Sequence, residues 1–215
     1  FSDFFESLFG RGFDIRPEGQ SYNRQFHFHG GDQHAKVQID LEDAFRGVTR
    51  SLSLKIPQTD ENGRVFTKTR TLNVKIPQGV KEGQRIRLAG QGAPGFGKGK
   101  NGDLYLEIVF RRHRFFYAEG RDIFIELPVT PWEVALGARV SVPTLGGEVE
   151  LKIPAGSQSG QKLRLKGRGL SGTPAGDQYV ILKIVIPPAK TDEEKALYEK
   201  MAKVMSLNPR AKMGV

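Results

Sequence analysis

Two stretches of this chain are near copies of each other. Val74 to Gly92 reads VKIPQGVKEGQRIRLAGQG and Leu151 to Gly169 reads LKIPAGSQSGQKLRLKGRG, with ten of nineteen residues identical at a fixed offset of 77. Each copy runs through a glycine-rich turn into a Gly-Asp pair and a new apolar segment. These are Gly102-Asp103-Leu104-Tyr105-Leu106 in the first copy and Gly176-Asp177-Gln178-Tyr179-Val180 in the second. Self-similarity at a fixed period means two like units in tandem. The shared residues are Pro, Gly, Gln, apolar side chains and cations, and no nucleophile, general base or metal-binding set recurs among them. That is the chemistry of turns and binding surfaces, so the expectation is not an enzyme, with no cofactor.

Around the copies the pattern is β. Val37, Ile39 and Leu41 alternate with polar residues, as do Leu52, Leu54 and Ile56. Asp60-Glu61-Asn62-Gly63 reads as a hairpin turn into a strand from Val65 to Ile76. Between the first two strands, Glu42 to Arg46 has room for one helical turn ended by Gly47. The second unit repeats the plan: a strand over Ile123–Leu127, a short helix over Pro131–Leu136, Gly137, then strands at 139–142, 148–153, 162–166 and 179–186. The fold class expected is mostly β, two tandem small β-sandwich modules followed by a C-terminal helix. The boundaries follow the composition. Residues 1–33 form a Gly/Phe-bearing linker with a helical turn over Ser2–Phe9, 34–119 the first β module, 120–188 the second, and 189–215 the tail.

The 215 residues hold no cysteine, which excludes disulfides and Cys-based zinc sites. No apolar run approaches the ~18 residues of a membrane-spanning helix, no signal peptide opens the chain, and the first residue is Phe1 rather than Met. A cytoplasmic protein with no membrane partner is expected, nucleoid-associated if it binds DNA. The net charge is +9. On an extended strand, Lys162, Arg164, Lys166 and Arg168 share one face while Leu163 and Leu165 point the other way. Arg111, Arg112 and Arg114 add a second cluster. Such surfaces attract acidic partners or the phosphates of double-stranded DNA; they also serve simply to keep a β protein solvated.

Two G-x-G-x-x-G matches, Gly90 to Gly95 and Gly167 to Gly172, each follow a strand, but glycines and Pro174 follow them where a dinucleotide site needs a helix N-terminus. They are read as turns needing positive φ. His27, His29 and His34 lie close in sequence without a carboxylate or thiol at fixed spacing, so no metal site is expected. In the tail, Thr191 with Glu194 fits a capping box, and Leu197, Met201, Val204 and Met205 recur at helical spacing. That apolar stripe lies either on its own module or on a second copy of the chain.

The duplicated V-K-I-P-x-G segment, the G-D-L-Y-L strand, Pro131-Trp132-Glu133-Val134-Ala135-Leu136-Gly137 and Val142-Pro143-Thr144-Leu145 resemble the C-terminal substrate-binding region of a DnaJ-type (J-domain) co-chaperone. The lack of cysteine matches the class without a zinc finger. The resemblance covers residues 34–207, residues 1–33 resemble the family's Gly/Phe linker, and no His-Pro-Asp signature is present. It implies a co-chaperone that binds unfolded client proteins and delivers them to a DnaK-type chaperone, acting as a homodimer through its tail. The client groove it implies maps to Val37, Leu52, Leu54 and Leu106, with Arg50 and Lys55 beside it for the acidic tail of the partner chaperone. The dimer residues it implies are Leu197, Met201, Val204 and Met205. The alternative reading is a nucleoid-associated module that holds curved DNA on a basic β face.

Overall fold

The computed structural model describes residues 28–59, 64–95 and 97–213. The Ser2–Phe9 turn, most of the linker, His27 and the Asp60–Gly63 turn lie outside them. The first module runs β1 (Gln33–Ile39), α1 (Leu41–Arg46), β2 (Val48–Thr59), β3 (Val65–Ile76), β4 (Arg85–Leu88) and β5 (Leu104–Phe110). After β6 (Phe116–Glu119) comes the second: β7 (Asp122–Val129), α2 (Pro131–Leu136), β8 (Ala138–Thr144), β9 (Gly147–Ile153), β10 (Lys162–Leu165) and β11 (Gln178–Ile184). Helix α3 (Asp192–Val204) follows.

Both modules use one topology. β1 pairs in parallel with β5, which pairs antiparallel with β4; β7 likewise pairs with β11, and β11 with β10. β2–β3 and β8–β9 form separate two-stranded hairpins. The expected boundary fell after residue 119, but β6 bonds to β7, so the second sheet begins at Phe116 and, among the described residues, has four strands against three. The inward residues of each strand, among them Ile39, Ile76, Leu106 and Ile108 in one module and Ile123, Ile153, Val180 and Leu182 in the other, are almost wholly buried. Burial of alternate residues on half-covered sheets is what the period-two pattern dictates.

The three α-helices among the described residues open in the same way. The amides of Asp40, Thr130 and Thr191 donate to the carboxylates of Asp43, Glu133 and Glu194, three residues on. This cap explains one departure: Leu41, expected to end the first strand, instead opens α1, because Asp40 stops the strand and starts the helix. Gly47 and Gly137 then turn the chain out at φ 71° and 81°.

The modules touch. A Cβ on Gly79 would fall 2.0 Å from the carbonyl oxygen of Ser171, and one on Gly146 would lie 3.3 Å from the Phe45 ring. His113 adds a polar tie. Its Nδ1 accepts from the amides of Phe115 and Phe116 (3.1 and 3.0 Å), which leaves Nε2 to donate to Glu42 on α1 at 3.1 Å.

Candidate functional site

The repeated R-L-x-G segment builds one clasp twice. Asp103 accepts from the Gly90 amide at 2.9 Å and from Arg87; Asp177 accepts from the Gly167 amide at 2.6 Å and from Arg164 at 2.7 Å. The amides of these aspartates donate in turn to Asp32 and Asp122, at 2.7 and 2.8 Å. The Gly90 amide, and then Arg87, hold Asp103 below the usual carboxylate range against the opposing effect of desolvation. Gly167 and Arg164 do the same for Asp177. Of the G-x-G pairs, Gly90 and Gly167 have the expected positive φ (68° and 69°). Gly92 and Gly169 do not; they are glycine because a Cβ would meet neighbouring backbone at 2.6 and 2.5 Å. Neither motif opens a helix.

The clasp changes the basic surface expected on the second module. Strand β10 ends at Leu165, so Lys166 and Arg168 sit in the following turn instead of continuing one strand face. Arg164 is committed to Asp177. Lys162 lies over the Phe124 ring, 5.6 Å from its centroid. Lys162, Lys166 and Arg168 are exposed and form no ion pair among the described residues. In the other cluster, Arg111 bonds to Asp40 at 2.9 Å and Arg114 lies 5.0 Å over the Phe115 ring, while Arg112 is exposed.

The implied client residues divide. Val37 and Leu106 belong to the core of the first module, 5% and 0% exposed, whereas Leu52 on β2 is half-buried. The side chains of Leu54 and Lys55 lie outside the described residues. Arg50 is held by Asp43 at 2.7 Å and reaches Asp40 at 3.4 Å, and the hydrogen bond it donates to the Asp43 carboxylate raises its pKa. Among the described residues β2 pairs with β3 alone, through twelve residues, and its other edge carries no strand.

Helix α3 buries none of its residues. Leu197, Met201, Val204 and Met205 are 44–73% exposed, so the stripe is not buried on its own module. The tie to the module is Tyr198, whose hydroxyl donates to the Pro187 carbonyl at 2.7 Å. Leu197 and Met201 line a cleft of about 420 Å³ with Pro131, Trp132, Pro187 and Pro188. Sequence reasoning missed the part of Trp132, which is 55% exposed; a tryptophan in the first turn of a short helix was its one signal. Among the described residues no group of three or more His, Asp or Glu stands where it could hold a metal, and no helix is long and apolar enough to cross a membrane.

A family model described as DnaJ C terminal domain matches residues 33–187. The chain belongs to the DnaJ C-terminal domain family. Curated relatives extend the likeness to almost the whole chain. A curved DNA-binding protein of Coxiella burnetii is 56% identical over 99% of this chain and 67% of its own length. Proteins of the same description from Pseudomonas syringae pv. tomato and Pseudomonas putida are 45% and 44% identical, each over 98% of this chain and 67% and 68% of their own lengths. The matched 33–187 span takes in both copies of the clasp and stops where the chain leaves the second sheet for α3.

Proposed function

We propose that this chain is the client-holding part of a DnaJ-type co-chaperone, non-enzymatic and dimeric through α3, that passes unfolded segments to a DnaK-type chaperone. The observation that carries the reading is the open edge of β2 beside half-buried Leu52. An extended segment adding as a strand takes its affinity from backbone hydrogen bonds and its preference from alternate apolar side chains. Leu52, packed against the core that holds Val37 and Leu106, supplies an apolar position on that row, and in the sequence Leu54 follows at strand spacing. Arg50, already paired, is a weaker anchor for an acidic tail than its sequence position suggests. The bare stripe of α3 supports self-association, since a helix of this length is marginal in water unless its apolar side is packed. Pairing two copies also places two β2 edges on one particle, which raises apparent affinity for long clients. The test is suppression of aggregation of an unfolded client. Leu52→Asp with Leu54→Asp is expected to abolish it while the far-ultraviolet dichroism stays unchanged; a folded double variant that still holds clients refutes the assignment.

A second reading, duplex DNA binding in the nucleoid, is favoured by the names of the relatives and by the unpaired Lys162, Lys166 and Arg168. Duplex affinity is then expected to fall steeply with salt, and replacing these three by Gln to lower the slope by about one unit per lost phosphate contact. Apolar client binding keeps its strength over the same range. An unchanged slope moves the duplex site to Arg112 and its neighbours.

A further inference from the structure

The register of the four-stranded sheet arranges its outer face as a grid. Tyr117 stands opposite Phe124, Phe124 opposite Tyr179, and Tyr179 opposite Arg164. The three rings stack in a row, with centroids 5.0 and 5.2 Å apart and planes inclined by 12° and 18°. The next row runs Glu126, Ile181 and Lys162. Phe115, in the bend that leads into β6, is a further exposed ring two residues before Tyr117; the two are 55% and 45% exposed.

Charge is divided across this face. On the β10 side stand Lys162 and Arg164, with Lys166 and Arg168 in the turn beyond. Lys183 on β11 is spent on Glu126 at 3.0 Å, and Arg164 on Asp177. On the far side the carboxylates Glu119 and Glu126 flank Tyr117. The corresponding face of the first module differs. Its rows read His34, Tyr105, Arg87 and Lys36, Glu107, Arg85, and among the described residues no strand like β6 adds a further ring.

We propose that the outer face of β6, β7, β11 and β10 binds single-stranded nucleic acid, with phosphates along the cationic β10 side and bases laid across Tyr179, Tyr117 and Phe115. Base stacking on exposed aromatic side chains, joined to a flanking line of cations, is how sequence-tolerant single-strand sites are built. The unpaired cations select a polyanion, and Glu119 at the other side, with Glu126 already paired to Lys183, keeps the phosphate backbone off the aromatic edge. A duplex keeps its bases stacked inside and gains nothing from the rings. The inference rests on the nucleic-acid reading above but not on duplex binding itself.

The test uses the whole chain with a fluorescent oligothymidylate and a duplex of equal length, each titrated at two salt concentrations. Phe115→Ser with Tyr117→Ser, the first just before the edge strand β6 and the second on it, both exposed, is expected to weaken the oligothymidylate about tenfold and to leave the duplex unchanged. Lys162→Gln with Lys166→Gln is expected to lower the salt slope for the single strand by about 0.7 per lost contact. Ultraviolet cross-linking of the parent chain to oligothymidylate, read by mass spectrometry, is expected at Phe115, Tyr117 or Tyr179, and covers the case of a variant that fails to fold. Duplex binding without single-strand binding, cross-links confined to other faces, or an apolar peptide that occupies these rings while oligothymidylate does not, each overturns the inference. Loss of both nucleic acids removes the duplex reading with it.

Discussion

The two modules share a frame and differ in what they put on it. Each has a parallel pair at its centre, a capped helical turn, and an Arg–Asp–Gly clasp closing the loop before the last strand. Beyond that they diverge. The first has a long hairpin, twelve residue pairs in β2–β3 against seven in β8–β9, whose open edge, unlike the equally open edge of β8, lies beside Leu52. The second has a short hairpin, an added strand β6 and an aromatic row. A position retained in both copies therefore speaks about the frame, and one that differs speaks about a surface. Gly79 and Gly156 illustrate the distinction. Both follow a Lys-Ile-Pro and have φ near 77° and 78°, so both are glycine for a conformational reason. Gly79 alone is pressed against the other module.

That pair gives the largest expected effect. Gly79→Ala combines left-handed strain with a clash on the Ser171 carbonyl and is expected to cost about 3 kcal/mol and to split thermal unfolding into two transitions. Gly156→Ala meets open space and should cost only about 1 kcal/mol within one transition. Equal costs at the two positions, measured by calorimetry, contradict the inter-module contact. A core deletion does not separate the modules: Leu106→Ala and Leu182→Ala should each cost about 3 kcal/mol, because both side chains are fully enclosed.

Acid should act on both modules alike. Asp103 and Asp177 have folded-state pKa values below the ordinary carboxylate value of about 3.9. Their stabilising contribution is therefore complete above that value and lost as pH falls through the lower, folded-state values. Melting temperatures should fall below about pH 4, and Asp103→Asn with Asp177→Asn should flatten that part of the profile. If only one single variant flattens it, the two clasps are not equivalent. The smallest effect is expected at the tail. Truncation after Pro188 should leave both modules folded, the clasp and core intact, and sediment as a monomer at micromolar concentration. A truncated chain that stays dimeric removes α3 from the interface.

Much of the frame was legible because it is local. Alternating apolar residues placed the strands, the i, i+3 acid after Thr191 placed the α3 cap, and the duplicated segment announced the second module. The surfaces were harder to read because side-chain pairing across the sheet is not local. Arg164 looked like one of four cations on a strand until Asp177, thirteen residues on, took its charge. The resemblance implied Val37 and Leu106 as groove residues, but they belong to the core, since strand alternation alone does not say which face is covered. β6 was missed as a strand of the second sheet because four residues carry too little periodicity. The row Tyr117, Phe124, Tyr179 is visible only once three strands separated in sequence are in register.

The central claim is that the shared frame presents clients at the β2 edge of the first module and not at its β8 counterpart. Backbone hydrogen exchange on the full chain, with and without a saturating unfolded client, tests it most directly. Amides of Val48–Thr59 that point away from β3 are expected to slow when client is bound, while those of Ala138–Thr144 keep their rates. Protection of β8 with no change along β2 contradicts the account.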